Sequence, residues 1–223
     1  MKRALILVEG QTEERFVKDT VAPFFVTQNL SIVPTILQTK RLKNGTTFKG
    51  GVSAFSKIED DIRRLLGQRG DAMLTTMIDY YGLPDDTPGM ADRAARATAS
   101  AKVWHVEQAI AAYFGSPKDF LPFLALHEFE AWLFVDSNVL PSVMTALDKR
   151  PDFAAIRTSF STPEEINERP EQAPSKRIER LFPAYRKTLH GPMAAKRIGV
   201  DQIRVACPHF DEWMRKLELF ARS

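Results

Sequence analysis

Cysteine is almost absent from this chain. The single Cys207 excludes an intramolecular disulfide and any zinc site built from several thiolates, and it suits a reducing compartment. Long apolar runs are also missing. The aliphatic stretch from Ala4 to Val8 is broken at once by Glu9, too short for a secretion signal, and no other stretch approaches bilayer length, so a cytoplasmic protein without membrane contact is expected. Charge of one sign is scarce as well. A net +3 from 31 basic and 28 acidic residues gives no whole-molecule field that would select a polyanion, so any such preference must come from local patches. Four familiar signatures do not occur: GxxxxGK[ST], GxGxxG after the first strand, GxSxG and HExxH. P-loop nucleotide hydrolysis, dinucleotide binding, serine hydrolysis and zincin proteolysis therefore lose their usual support.

What is present is an ordinary globular composition, 44% hydrophobic and 26% charged, long enough for one sizeable core. Ala4–Val8 and Ala72–Ile78 are continuous aliphatic or β-branched runs without alternation, the pattern of strands buried on both faces. Ile32–Leu37 and Phe120–Leu126 read as further strands, the last with an edge position or a late start because of Pro122. Between them lie helical patterns. Thr12 is expected to cap a helix with Glu13 and Glu14 in its first turn, ending before Pro23. Apolar spacing predicts a second helix over Val52–Leu66, a third over Ala99–Tyr113, and a short one from His127 through Trp132 and Phe134. Alternating strands and helices imply a parallel sheet with right-handed crossovers. Residues 1–135 form the expected α/β domain. Residues 136–223 form a helical C-terminal section on the same core, with Ile178, Leu181 and Phe182, then Phe210, Trp213, Met214 and Leu217, facing inward. Trp132 and Trp213 are expected in the core, Cys207 is read as structural, and neither His127 nor His209 as a ligand.

Ligands of parallel α/β sheets gather beyond the carboxyl ends of the strands. Three predicted strands end there in acids: Glu9, Asp79, and Glu128 with Glu130. Clustered carboxylates need water, protons or a cation, and all-oxygen donors suit Mg²⁺ or Mn²⁺, which can polarise a phosphate and activate water. Basic residues fall in two groups. Lys40, Arg41, Lys43 and Lys49 surround the stretch NGTTFKGG; Lys176, Arg177, Arg180, Arg186, Lys187 and His190 lie in PSKRIERLFPAYRKTLHG. Lys176, Arg177, Lys187 and His190 are the expected contacts to nucleic acid, since phosphate contacts need such charge.

The segment VEGQTE resembles the first Toprim motif, in which a glutamate follows the first strand, and IDYYG stands where that family places paired aspartates. VEGQTEERFV, DYYGLP, HEFEAWLF, PSKRI and CPHFDEW together resemble a Toprim-like bacterial family, domain-of-unknown-function family 4276, over nearly the whole chain. That family is similar in outline to the nuclease domains of overcoming-lysogenization-defect proteins. The resemblance implies a Toprim-like, Rossmann-like parallel sheet with helices on both faces. It further implies a Mg²⁺- or Mn²⁺-dependent nuclease acting on DNA or RNA, with a role in phage defence. By position, Glu9 becomes the general acid or base, Asp79 a metal ligand and Glu13 an auxiliary carboxylate. Tyr81 takes the place of the second aspartate. Glu128 or Glu130 from the next strand, the preferred source, with Glu130 turned away if a helix has begun there, or Asp85 or Asp86 from the loop, would replace it. If none does, the expected alternative is a non-catalytic subunit that binds nucleic acid or a partner such as an ATPase. A homodimer is compatible with either.

Overall fold

The computed structural model describes residues 1–38, 54–166 and 170–223. The basic group Lys40, Arg41, Lys43 and Lys49, and Val52, lie outside those residues. Four chain segments build one parallel sheet: β1 (Lys2–Val8), β2 (Leu30–Ile36), β3 (Met73–Asp79), and a broken fourth made of β4 (Phe120–Leu121) and β5 (Leu124–Ala125). The order is β2-β1-β3-β4, with β5 also on β3, and every pairing is parallel. Pro122 interrupts the edge as its missing N–H demands. Thr76 on β3 bridges the gap: its hydroxyl accepts from the Phe123 N–H at 2.9 Å and donates to the Phe123 carbonyl at 2.7 Å.

Side chains along the strands alternate between two apolar layers. Ala4, Ile6, Val8, Met73 and Met77 pack into one core; Leu7, Leu74 and Ile78 pack into the other. The second core is closed by α3 (Phe55–Gln68) and α4 (Ala99–Tyr113), the latter where the apolar spacing predicts it. On the first face lies a continuous helical segment: α1 (Gln11–Phe16), a π-helical stretch (Val17–Val21) and α2 (Ala22–Val26). It passes through Pro23 rather than stopping there: the Ala22 N–H bonds the Val17 carbonyl, and the proline falls where the pattern changes from π to α. Gly10, not Thr12, flanks its start; Thr12 is buried inside the first turn.

The rest of that face is covered by a 3₁₀ turn (Phe129–Phe134) and by α5 (Val139–Val143), α6 (Arg150–Thr158), α7 (Pro174–Leu181), α8 (Lys187–Ile198), α9 (Val200–Ala206) and α10 (Pro208–Arg222). Ile198, Ile203, Phe210 and Trp213 share a core with Ile6 and Val8. The Trp213 ring stacks on Phe123, and its indole N–H donates to the buried Thr75 hydroxyl at 2.9 Å, which fixes α10 across β3. Trp132 and Cys207 are wholly buried, and burial pushes the Cys207 thiol well above its ordinary range. His209 is tied down twice: its ring bonds Glu107 at 2.9 Å, and its N–H donates to Glu164, whose other oxygen accepts from Phe210 at the start of α10. No helix among the described residues is long and apolar enough to cross a membrane.

Candidate functional site at the strand ends

The acids at the ends of β1 and β3 converge. The Glu9 carboxylate accepts from the Asp79 N–H at 3.4 Å. Asp79, the last residue of β3, is buried and accepts from the Phe129 N–H at 2.9 Å, so the 3₁₀ turn after β5 is docked directly onto its side chain. From that turn Glu130 points into the same space with no exposure at all. Glu13, in the first turn of α1, is also buried.

Opposite them stands Lys187, the first residue of α8, with Nζ 3.0 Å from Glu130 Oε2 and 3.7 Å from Asp79 Oδ2. The Tyr185 hydroxyl donates to Glu130 Oε1 at 3.3 Å. Local sequence explains how α8 brings Lys187 here. Pro192 has no N–H for the Thr188 carbonyl one turn before it, and Arg15 of α1 donates to that carbonyl instead at 2.9 Å. Gly191 lets α8 lie against the 3₁₀ turn: a Cβ there would lie 3.0 Å from the Tyr185 hydroxyl and 3.1 Å from the Phe129 ring. Gly191→Ala is therefore expected to lower stability by about 1–3 kcal/mol through overpacking, measurable by urea unfolding with an unchanged m-value. An unchanged midpoint would mean that the contact relaxes freely.

Three buried carboxyls share one ammonium, and burial and crowding shift all three toward their protonated forms. Burial raises the Asp79 carboxyl well above its ordinary value; Lys187 opposes this, and Glu9, Glu13 and Glu130 add to it. Burial likewise raises Glu13, against the pull of Lys187. Glu130 is pushed up to about 7 by burial, with Lys187 opposing and Glu128 and Glu13 reinforcing. For Lys187, burial favours the neutral amine, but Glu130, Asp79, Glu13 and Glu128 outweigh it and hold the ammonium charged far beyond neutral pH.

The other expected site residues have separate attachments. Both oxygens of Glu128 engage Ser175 in the first turn of α7, at 2.9 Å to its N–H and 3.1 Å to its hydroxyl. Asp86 accepts from the Phe55 N–H at the start of α3. Lys176 pairs with Glu179 at 2.7 Å on the surface. Arg177 donates to the Gln172 carbonyl and lies over the Phe160 ring. The His190 ring accepts from the Arg186 N–H at 2.9 Å, at the beginning of α8. Of the four basic residues, Lys187 is the one placed among the acids. Tyr185, read from sequence as part of the basic stretch on an exposed face, turns inward to Glu130 instead, and Gly191 is an addition from the structure.

Among the described residues, no group of three or more His, Cys, Asp or Glu side chains is arranged to hold a metal ion. The donor chemistry still fits a hard divalent cation: every donor is a carboxyl oxygen, the crowding of buried carboxyls that raises Asp79, Glu13 and Glu130 is of the kind a cation relieves, and Mg²⁺ commonly takes one or two protein carboxylates and keeps water or phosphate on its other positions.

Beyond the carboxylates, Tyr81 reaches solvent, 38% exposed, and the edge of its ring meets His127 with centroids 6.1 Å apart. His127 is buried, and that burial pulls its imidazole down to about 4, leaving it neutral at pH 7.

No curated protein matches the chain. Among solved structures, the C-terminal region of the Burkholderia pseudomallei OLD protein is similar to it with a TM-score of 0.47 and 14% identity, over 96% of this chain and 98% of that one. A family described as a domain of unknown function, DUF4276, matches residues 8–218.

Proposed function

The chain belongs to the DUF4276 family, and from the chemistry of its strand ends we propose that it is a metal-dependent phosphodiester hydrolase, a nuclease acting on DNA or RNA. One observation carries this reading: Glu13, Asp79 and Glu130 crowd around the ammonium of Lys187 at the carboxyl ends of parallel strands, with Glu9 against the Asp79 N–H, and all three of the buried carboxyls are raised above their ordinary values. Such crowding is costly to keep in a fold unless a cation is meant to share it.

Asp79 and Glu130 would hold Mg²⁺ or Mn²⁺, with Glu13 beside them. The bound ion would supply Lewis-acid polarisation of the phosphate and a more acidic water. The rest is the work of side chains. Glu9, partly exposed and oriented by the Asp79 N–H, is placed to take a proton from an attacking water. Lys187 brings fixed positive charge to the point where negative charge grows on the phosphoryl oxygens. Tyr185 keeps one oxygen of Glu130 directed inward.

A second reading, a subunit that binds without cutting, is favoured by two features: Tyr81 follows Asp79 where the resemblance expects a further aspartate, and Lys187 already lies against both Asp79 and Glu130. The two readings separate in one assay. Labelled single- and double-stranded DNA and RNA are incubated with the full chain in Mg²⁺, Mn²⁺ or EDTA. The nuclease reading expects metal-dependent cleavage that Glu9→Gln reduces by about 100-fold or more. Cleavage that persists equally in Glu9→Gln would assign the products to a contaminant. Calorimetric titration with Mg²⁺ that shows no heat at any pH from 6 to 8 would favour the second reading.

A further inference from the structure

We propose that the Lys187 ammonium holds the cation's place in the free protein, between Asp79 and Glu130, and swings outward toward the substrate phosphate when Mg²⁺ or Mn²⁺ enters. The inference rests on the metal-dependent reading and adds how that site is regulated.

The division of oxygens comes first. Each of the two carboxyls has one oxygen tied by a neutral donor of the fold: Asp79 Oδ1 accepts from the Phe129 N–H at 2.9 Å, and Glu130 Oε1 from the Tyr185 hydroxyl at 3.3 Å. The other oxygen of each, Asp79 Oδ2 and Glu130 Oε2, faces the Lys187 ammonium at 3.7 Å and 3.0 Å. Glu130 Oε2 is shut off from solvent and has no partner besides that ammonium among the described residues. Two carboxyls from separate segments, each anchored through one oxygen and offering the second to a common positive charge, are arranged as carboxylates are when each gives a hard ion one oxygen.

The ammonium is seated loosely. At 3.7 Å it lies beyond hydrogen-bond distance of Asp79 Oδ2, so it serves the pair as a point charge rather than as a donor to both. An ion bound to both oxygens takes the position between them, where the ammonium now stands, and two positive charges repel strongly at such range. One of them must leave, and Lys187 has the way out. It is the first residue of α8, its side chain is 42% exposed, and its four-carbon stem is flexible, so the charge can move while the helix stays. The exchange turns Lys187 from an occupant of the cluster into a cation at its mouth. A phosphate that holds Lys187 outside and an ion that takes its place therefore raise each other's affinity.

The test follows Lys187 itself. In the full chain carrying ¹⁵N-lysine, the ε-ammonium resonance of Lys187 is assigned by its absence from Lys187→Arg. An ammonium held against carboxyls exchanges its protons with water slowly enough to be seen, whereas a released one loses its signal. Near neutral pH the resonance is expected in the metal-free protein and should disappear as Mg²⁺ is added, with the midpoint that calorimetry gives for binding. Lys187→Met, with nothing to displace, should bind Mg²⁺ at least about tenfold tighter. A resonance that persists unshifted while Mg²⁺ binds, one already missing without metal, or an affinity in Lys187→Met within about twofold of the parent overturns the inference. Metal-dependent cleavage alongside any of these leaves the nuclease reading standing. No Mg²⁺ heat in either protein removes the ion of that reading and this inference with it.

Discussion

Lys187→Met should unfold more readily than the parent chain at pH 8, and the penalty should shrink as the solution is acidified. Removing the ammonium leaves Asp79, Glu13 and Glu130 buried against one another. Breaking a fully buried pair costs roughly 3–5 kcal/mol; with the Lys187 side chain 42% exposed, solvent screens part of this, and about 2 kcal/mol is expected. In a chain of this length that corresponds to a fall in Tm of roughly 4–8 °C. The pH dependence has a definite sign. Glu130 has its folded pKa near 7, above the ordinary 4.5. Its contribution to stability is complete below about 4.5, where both states are protonated, and is lost as pH rises through 7, because the unfolded chain gives up the proton first. The variant should therefore approach wild-type stability toward pH 5, and Mg²⁺ should restore part of the loss at pH 8. A penalty independent of pH and of Mg²⁺ would show that Lys187 matters through its packing alone.

Asp79→Asn is expected to separate stability from activity. The carboxyl is raised well above its ordinary value chiefly by burial, so a neutral isostere relieves repulsion with Glu9, Glu13 and Glu130 while its carbonyl can still accept from Phe129. The loss of the 3.7 Å pair with Lys187 offsets only part of that gain. Thermal unfolding near neutral pH should shift upward by roughly 2–4 °C, about 1 kcal/mol. Cleavage should fall by about 100-fold or more, and the Mg²⁺ heat should vanish. A structural ion pair behaves in the opposite way: a lower Tm with the Mg²⁺ titration untouched would remove Asp79 from the site.

Much of this arrangement could be read from residues alone, and the limits have physical causes. β1 and β3 are legible because strands covered on both faces need no polar alternation; β3 ends in Asp79, and Glu9 follows directly on β1. The fourth strand reads as one run over Phe120–Leu126 but exists as two pairs of residues, since Pro122 cannot join the ladder and Thr76 substitutes for it. Glu128 and Glu130 are two apart, which in a strand would give them one direction. A 3₁₀ turn begins between them at Phe129, and their side chains part, one to α7 and one to Lys187. Lys187 itself looks like one more member of a basic run. Nothing local reports that Gly191 lets α8 lie against the Phe129 turn or that Arg15 ties it to α1 through the carbonyl Pro192 leaves free, so its place among the acids is tertiary information.

The two borders of the sheet share a property that bears on how copies of the molecule treat one another. Pro34 lies within β2, and Pro122 splits the opposite border, where the Phe123 amide and carbonyl are already taken by Thr76. Neither border presents an unbroken row of free amides, the template on which a second chain would add a strand. Concentrated or partly unfolded samples should consequently resist growth into cross-β fibrils seeded from the native sheet.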